Sequence, residues 1–116
     1  RQHSIWMPLA QTIRRELPAD ARIVSVSGPD PTLLNLSRRR GWLISNKKLT
    51  PDRIAKLKRA GASHITGGFN WEETYRPLPK EQRTLLEKLA ASSSGAWVDP
   101  RQQTYLLPIE GLPENF

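Results

Sequence analysis

The pattern of apolar and polar positions predicts a strand, a turn and a helix in the first third of the chain. Residues 22–27 read R-I-V-S-V-S, a β-branched and mostly apolar run that is typical of an interior strand. The run stops at residues 28–31, Gly-Pro-Asp-Pro, because two prolines cannot extend a ladder of backbone hydrogen bonds. Closely spaced leucines then predict a helix over residues 31–39, and we expect Gly41 to end it.

The same alternation continues through the middle of the chain. Residues 42–44, Trp-Leu-Ile, predict a second strand. Thr50 followed by Pro51 indicates a helix start, since threonine caps the first turn and proline suits its first position. We expect Gly61 to end that helix and residues 63–66 to form a third strand. Strands joined in this way through helices predict a parallel sheet.

Further elements are expected at both ends of the chain. Apolar residues spaced by four predict a helix over residues 8–17, which Pro8 would open. A leucine-rich segment predicts another helix over residues 79–91, and residues 96–98 and 103–107 predict a β-hairpin. The predicted fold class is α/β: a small, mainly parallel sheet with helices on its faces, a Rossmann-like βαβαβ core, and a C-terminal helix and β-hairpin.

Length and hydrophobicity favour one domain over residues 1–116. No apolar run approaches the roughly 20 residues that cross a bilayer. Because the chain begins at Arg1 rather than at a methionine, we expect a processed protein or a piece excised from a larger membrane protein. Residues 108–116 show no periodicity and are expected to be an extended segment or a mobile tail. The absence of cysteine excludes disulfides and thiolate zinc sites.

The net charge of +7, from 18 Lys and Arg against 11 Asp and Glu, raises the question of an anionic partner. No aromatic residue is interleaved with the basic runs at the spacing of a nucleic-acid stacking platform, so nucleic acid is disfavoured. An anionic surface is the alternative, as is a purely structural role near the negative end of a helix dipole. The candidate residues for contact with an anionic surface are Arg38, Arg39, Arg40, Lys47 and Lys48.

The turn after the first strand is a candidate ligand site. In open α/β sheets, ligands commonly bind where strands end and helices begin. Asp30, Thr32 and Asn35 lie at this point and are candidate ligand-binding residues for an anion or a sugar hydroxyl. An ordinary capped helix start explains the same residues and is favoured, because the glycine spacing of a phosphate loop is missing.

A second candidate is the aromatic and acidic stretch of residues 67–77. Trp71, Glu72 and Tyr75 are candidate ligand-binding residues there, since aromatic rings beside carboxylates suit a carbohydrate cleft. Packing over an edge of the core explains the same residues and is favoured, because aromatic residues are as common in cores as in sites. His64 has no partner at a spacing that suits catalysis or metal binding, so we expect it to be structural. No catalytic residue, metal site or cofactor is predicted.

Several local motifs carry a family resemblance. Residues 18–23 read P-x-x-A-x-I, residues 30–34 read D-P-T-L-L, and residues 39–42 read R-x-G-W. Residues 50–62 read T-P-x-x-I-x-x-L-K-x-x-G-A. Together residues 18–66 resemble the extracytoplasmic C-terminal domain of bacterial dolichyl-phosphate-mannose-protein mannosyltransferase-like proteins, which are membrane glycosyltransferases of the GT-C class.

The resemblance implies a non-catalytic role for this chain. Members of that family use an acidic residue in a loop between membrane helices to act on a polyprenyl-phosphate sugar, and no such loop is present in the sequence. We therefore expect an accessory domain that is membrane-attached on the extracytoplasmic, or periplasmic, side of a parent glycosyltransferase. Its expected partners are the remainder of that protein, anionic lipid headgroups and a glycan acceptor.

Two other classes stay open from the residues alone. One is a freestanding basic α/β module that binds a ligand or nucleic acid, for which a strongly salt-dependent gel shift is the test. The other is a small enzyme with its site between the turn at residues 28–35 and the aromatic stretch.

Overall fold

The computed structural model describes residues 2–69 and 78–109. It has a mixed α/β fold, with a five-stranded sheet and helices on both faces, so the predicted α/β class is confirmed. The strands are β1 (Arg22–Val26), β2 (Arg40–Ile44), β3 (His64–Gly68), β4 (Trp97–Asp99) and β5 (Thr104–Pro108). The helices are α1 (Gln2–Glu16), α2 (Thr32–Ser37), α3 (Pro51–Arg59) and α4 (Lys80–Ser92), with a 3₁₀ turn at Asn46–Lys48.

The strand order of the sheet is β2-β1-β3-β5-β4. β1 pairs in parallel with both β2 and β3, whereas β5 runs antiparallel to β3 and to β4. The C-terminal hairpin is therefore confirmed, and it extends the sheet beyond β3. Because β1, β2 and β3 run in the same direction, their first residues lie together at one end of the strands, the amino edge of the sheet. Their last residues lie together at the opposite end of the strands, the carboxyl edge.

Two apolar clusters hold the helices onto the sheet. Successive strand residues point to opposite faces, so neighbours in one strand join different clusters. One cluster lies under α1 and α2 and comprises Trp6, Leu9, Ala10, Ile13, Ile23, Leu33 and Leu106. The larger cluster lies under α3 and α4 and includes Val24, Val26, Ile54, Leu57, Ile65, Leu86, Leu89, Tyr105 and Leu107. The mostly apolar strands of the sequence are thus explained by burial on both faces.

Helix α1 begins before the position that the sequence predicts. Pro8 lies inside the helix instead of opening it. An interior proline costs about 3 kcal/mol, because it removes a hydrogen bond and crowds the preceding turn. The added turn buries Trp6 against the sheet, and burying one large apolar side chain stabilises by about 1.5–3 kcal/mol. Burial of the earlier turn therefore offsets the proline.

Helix α2 ends earlier than predicted, and the residue at its end is Arg38 rather than Gly41. Arg38 adopts the left-handed backbone at its C-terminus, with φ 55° and ψ 43°, and its N–H bonds to the carbonyl oxygen of Asn35. The prediction that Gly41 ends the helix is wrong, since Gly41 lies within β2. The absence of a side chain at Gly41 lets β2 pack closely against β1, because a Cβ there would lie 1.7 Å from the carbonyl oxygen of Ile23.

The predicted ends of α3 are confirmed. The backbone N–H of Arg53 donates to Oγ1 of Thr50 over 3.2 Å, and Pro51 occupies the first helical position. Gly61 follows the helix with φ +109°. Of the segment 108–116, Pro108 is the last residue of β5, Ile109 is buried, and the rest lies outside the described residues. No helix in the described part of the chain is long and apolar enough to cross a membrane.

Candidate functional site

At the carboxyl edge, the turn between β1 and α2 brings Asp30 and Thr32 into contact with each other. Oδ1 of Asp30 accepts hydrogen bonds from the backbone N–H of Thr32 (3.0 Å) and from its hydroxyl (2.5 Å). The hydroxyl of Ser27 donates to the carbonyl oxygen of Asp30 over 2.9 Å. Asn35, in contrast, is exposed within α2. The arrangement closes the turn just before α2, whose N-cap position is Pro31.

The aromatic stretch is described only at its borders. The candidate residues Trp71, Glu72 and Tyr75 lie outside the described residues. Phe69 and Leu78, which flank them, are both buried in the larger cluster. The borders of the stretch thus belong to the core.

A shallow cleft of about 470 Å³ lies between α4 and the β-hairpin and reaches Phe69. Arg83 lines this cleft, and its guanidinium contacts Phe69 and Glu87. It donates to the carbonyl oxygen of Phe69 over 3.3 Å, lies 5.7 Å from the centroid of that ring, and pairs with Glu87 over 3.4 Å. These contacts anchor α4 to the end of β3. Arg83 did not stand out in the sequence, because its partners are remote or lie along its own helix.

Tyr105 carries a phenol that is completely buried in the larger cluster. Complete burial raises the pKa of its phenol, since the anion would lose its hydration. Tyr105 therefore stays protonated at neutral pH. Nδ1 of His64 lies 2.7 Å from the Ser63 hydroxyl in a half-buried setting. Within residues 2–69 and 78–109, no three His, Cys, Asp or Glu side chains are grouped to hold a metal ion.

At the amino edge, the structure gathers cations from separate parts of the sequence. α1, α2 and α3 each end there, because each leads directly into β1, β2 or β3. Seven exposed side chains define the basic edge: Arg14, Arg15, Arg22, Arg38, Arg40, Lys58 and Arg59. Arg15 pairs with Glu16 over 3.1 Å. None of the other six forms an ion pair with a described residue. This edge can bind anions.

Arg39 lies beside the basic edge, but its guanidinium donates hydrogen bonds to backbone carbonyl oxygens. Nη2 donates to the carbonyl oxygen of Leu17 over 2.8 Å and to that of Arg14 over 3.4 Å. Nη1 donates to the carbonyl oxygens of Ser37 and Arg38, each over 3.1 Å. Arg39 therefore joins the end of α1 to the end of α2, and its charge meets helix carbonyls that favour a cation.

The five candidates for contact with an anionic surface are divided between two edges. Arg38 and Arg40 belong to the basic edge and line a pocket there. Lys47 and Lys48 are exposed in the 3₁₀ turn after β2, at the carboxyl edge. Because β2 separates the two groups, they do not form one patch.

The sequence did not group Arg22 with Arg40. Arg22 is the first residue of β1 and pairs in register with Arg40, the first residue of β2. The sequence does contain one indication that the two arginines are close. Each stands at the start of an apolar run, and parallel strands start at the same end of a sheet. This indication predicts a contact only when β1 and β2 are known to be neighbours.

Comparisons with protein-family models, with curated proteins and with solved structures gave no match to this chain.

Proposed function

We propose that this chain is a non-catalytic accessory domain whose basic edge contacts an anionic membrane surface beside a polyprenyl-phosphate-sugar-dependent glycosyltransferase. The observation that carries the proposal is the basic edge itself. Seven exposed cations from four segments converge on one edge of the sheet, and one of them is paired with a carboxylate of the described residues. Each Lys or Arg close to an anionic bilayer contributes about 1 kcal/mol of attraction.

The charge is distributed asymmetrically. At the carboxyl edge, the cations Lys47, Lys48 and Arg53 are accompanied by the acids Asp30 and Asp52. At the amino edge, the acids near the seven cations are Glu16 and Asp20. A surface of one dominant sign orients a domain on a charged membrane, whereas mixed charges do not.

The geometry of Asp30 and Thr32, two of the predicted ligand residues, supports a structural role for this turn. The two side chains form hydrogen bonds with each other just before α2. The pKa of Tyr105 is raised by burial, so its phenol does not act as a base at neutral pH. Neither feature supplies an activated nucleophile or a poised acid.

The link to a glycosyltransferase comes from the sequence resemblance of residues 18–66. This resemblance implies a domain on the extracytoplasmic side of a membrane, with the remainder of the parent protein and a glycan acceptor as partners. Reading the coding sequence upstream of Arg1 tests this part. Several membrane helices in the same frame are expected, and a start codon close to Arg1 without them contradicts it.

The Rossmann-like detail of the core is also part of the proposal. Its support is the parallel order β2-β1-β3, with α2 on one face of the sheet and α3 on the other. That order creates a switch point between β1 and β3, where the turn at Asp30 lies. An experimental structure with both crossovers right-handed is the expected result.

Nucleic acid is the competing anionic partner for the basic edge. Single-stranded nucleic acid binds through exposed aromatic rings as well as cations. Of the aromatic residues that the structure describes, Trp6, Phe69 and Tyr105 are buried in the two apolar clusters, and Trp42 and Trp97 are partly buried against them. This favours a membrane surface over a stacked strand.

Vesicle sedimentation tests the contact. The chain is expected to bind vesicles that contain anionic lipid at low salt, to bind neutral vesicles weakly, and to lose binding as salt rises. The double variant Arg14→Gln/Arg59→Gln should weaken binding several-fold. Lys47→Gln/Lys48→Gln removes the same charge from the opposite edge and should change it little. Equal losses in both variants, or no preference for anionic lipid, would contradict the proposal, as would tighter binding to single-stranded DNA.

A further inference from the structure

The basic edge contains a concave pocket at the start of β1 and β2. It has a volume of about 270 Å³ and is lined by Ala19, Asp20, Ala21, Arg22, Arg38 and Arg40. Three arginines and one aspartate therefore face a space whose remaining walls are small alanine side chains. The pocket can admit a group with several oxygen atoms.

Two of these arginines are direct neighbours across the sheet. Arg22 and Arg40 are register partners in parallel strands, so their side chains leave the same face next to each other. Like charges at such positions repel each other. Neither is at a helix end within α1–α4, and neither pairs with a described carboxylate, so the dipole explanation that suits Arg14 and Arg59 does not account for them. An anion between the two guanidiniums would remove the repulsion.

The third arginine reaches the pocket from an unusual backbone. Arg38 has φ 55°, a conformation that glycine adopts more readily than any other residue. A glycine at this position would close α2 without strain, but it would offer the pocket no cation. The backbone conformation at residue 38 therefore does not account for an arginine at this position.

The walls of the pocket are held by hydrogen bonds within the protein. The N–H of Ser63 donates to the carbonyl oxygen of Arg22 over 2.9 Å, which fixes the start of β1. The N–H of Ala21 donates to the carbonyl oxygen of Pro18 over 3.1 Å, which closes the turn that carries Asp20. The bonds of Arg39 to α1 and α2 hold the two sides together. The backbone around the pocket is thus fixed by hydrogen bonds of the fold itself.

We propose that this pocket binds a phosphate ester whose alcohol part carries a free hydroxyl. Arg22, Arg38 and Arg40 donate to the phosphate oxygens, as guanidinium groups commonly do. The carboxylate of Asp20 opposes a bare anion but accepts a hydrogen bond from a hydroxyl on the ester's alcohol part. The inference deepens the proposed function and rests on it, because a polyol phosphate is the headgroup of an anionic lipid. A free sugar phosphate presents the same chemistry.

The first experiment is an NMR titration of the full chain with glycerol 3-phosphate and with propyl phosphate, which lacks the hydroxyls. Shifts are expected at residues 19–22 and 38–40, and glycerol 3-phosphate should bind more tightly. In Asp20→Ala, propyl phosphate should bind more tightly than it does to the wild type, and the preference should disappear. Shifts spread evenly over Arg14, Lys58 and Arg59 would overturn the proposal.

The variant Arg38→Gly is expected to bind the ligand more weakly without losing stability, so the two effects can be told apart. Glycine relieves the left-handed backbone, so the Tm should rise, while affinity for glycerol 3-phosphate should fall about tenfold through loss of one charge-assisted contact. Arg59→Gln removes one charge from the same edge outside the pocket and should reduce affinity by less than twofold. An equal loss of affinity in the two variants would overturn the pocket.

Vesicle binding by these variants answers two questions. It tests the pocket separately from the proposed membrane contact, and it shows whether the ligand is a lipid headgroup or a free phosphate ester. If vesicles with phosphatidylglycerol bind Arg38→Gly and Arg59→Gln with the same affinity, each weaker than the wild type, the pocket inference fails and the membrane contact stands. If those vesicles do not bind but glycerol 3-phosphate binds and depends on Arg38, the membrane contact fails and the pocket is a site for a free phosphate ester. Selective loss of vesicle binding in Arg38→Gly supports the lipid headgroup.

Discussion

The guanidinium Nη2 of Arg39 donates a 2.8 Å hydrogen bond to the carbonyl oxygen of Leu17, 22 residues earlier in the chain. This bond joins the end of α1 to the segment between α2 and β2. Arg39→Ala is expected to lower the free energy of unfolding by about 1–3 kcal/mol, because several carbonyls lose a charged donor. Urea denaturation measures the change.

Arg40→Ala is the matched control for Arg39, since the neighbouring side chain is exposed and has no described ion pair. Its expected effect on the free energy of unfolding is within about 0.5 kcal/mol. Similar losses in the two variants would show that the contacts of Arg39 with the helix ends do not stabilise the fold.

Gly41 should tolerate no side chain. A Cβ there would lie 1.7 Å from the carbonyl oxygen of Ile23 and 2.8 Å from its backbone nitrogen, within the β1–β2 ladder. Gly41→Ala is therefore expected to destabilise by about 3 kcal/mol or more, or to abolish folding. Denaturation monitored by tryptophan fluorescence measures this loss.

Gly61→Ala is the informative comparison for Gly41. A Cβ at Gly61 meets nothing within 4 Å, so the cost comes from its φ of +109° alone. We expect a loss of about 1–2 kcal/mol from backbone strain. A greater loss at Gly61 than at Gly41 would contradict the close packing of β1 on β2.

Tyr105 makes stability depend on pH in the alkaline range. Burial raises the pKa of its phenol above the ordinary value of 10.0, so the folded chain keeps a proton that the unfolded chain releases. Stability from this group is therefore complete below pH 10 and declines above it, by up to about 1.4 kcal/mol per pH unit. Urea denaturation at pH 8 to 11 measures the decline.

Tyr105→Phe is expected to remove that alkaline decline. The Tyr105 hydroxyl is buried without a hydrogen-bond partner among the described groups, so losing it should leave stability at pH 7 unchanged or slightly higher. The ring itself packs 5.0 Å from that of Phe69 and is retained. A loss above about 1 kcal/mol at pH 7 would indicate that the hydroxyl has a partner.

Asp30 is expected to act on folding through its bonds to Thr32. Asp30→Ala should destabilise by about 1 kcal/mol, because the N–H and the hydroxyl of Thr32 lose their acceptor. Asp30→Asn keeps a side-chain oxygen and should cost only a few tenths of that. Thermal unfolding of the two variants checks the order. Equal stability of Asp30→Ala and the wild type would reopen a ligand role for this carboxylate.

Local signals in the sequence were sufficient for the fold class and for most elements. The cap of Thr50 and the stop at Gly61 were correctly predicted, because both depend on residues within one helical turn. The apolar runs of the central strands were recognisable for the same reason, since alternation is a local property.

The errors occurred where distant contacts outweighed local preference. Burial of Trp6 overrides the interruption at Pro8, and the approach of β2 to Ile23 requires Gly41 in a strand rather than at a helix end. Arg38 closes α2 in its place. In each case the competing energy comes from a partner on another element, which local propensity does not include.

The sequence by itself determined an α/β chain with an excess of cations. Only the tertiary structure decided that Arg22 lies beside Arg40, that Arg39 turns onto helix carbonyls, and that Lys47 and Lys48 lie at the opposite edge. The physical reason is that the helices before β1, β2 and β3 all end at one edge of a parallel sheet. Cations far apart in sequence therefore meet there, and strand order decides which of them become neighbours.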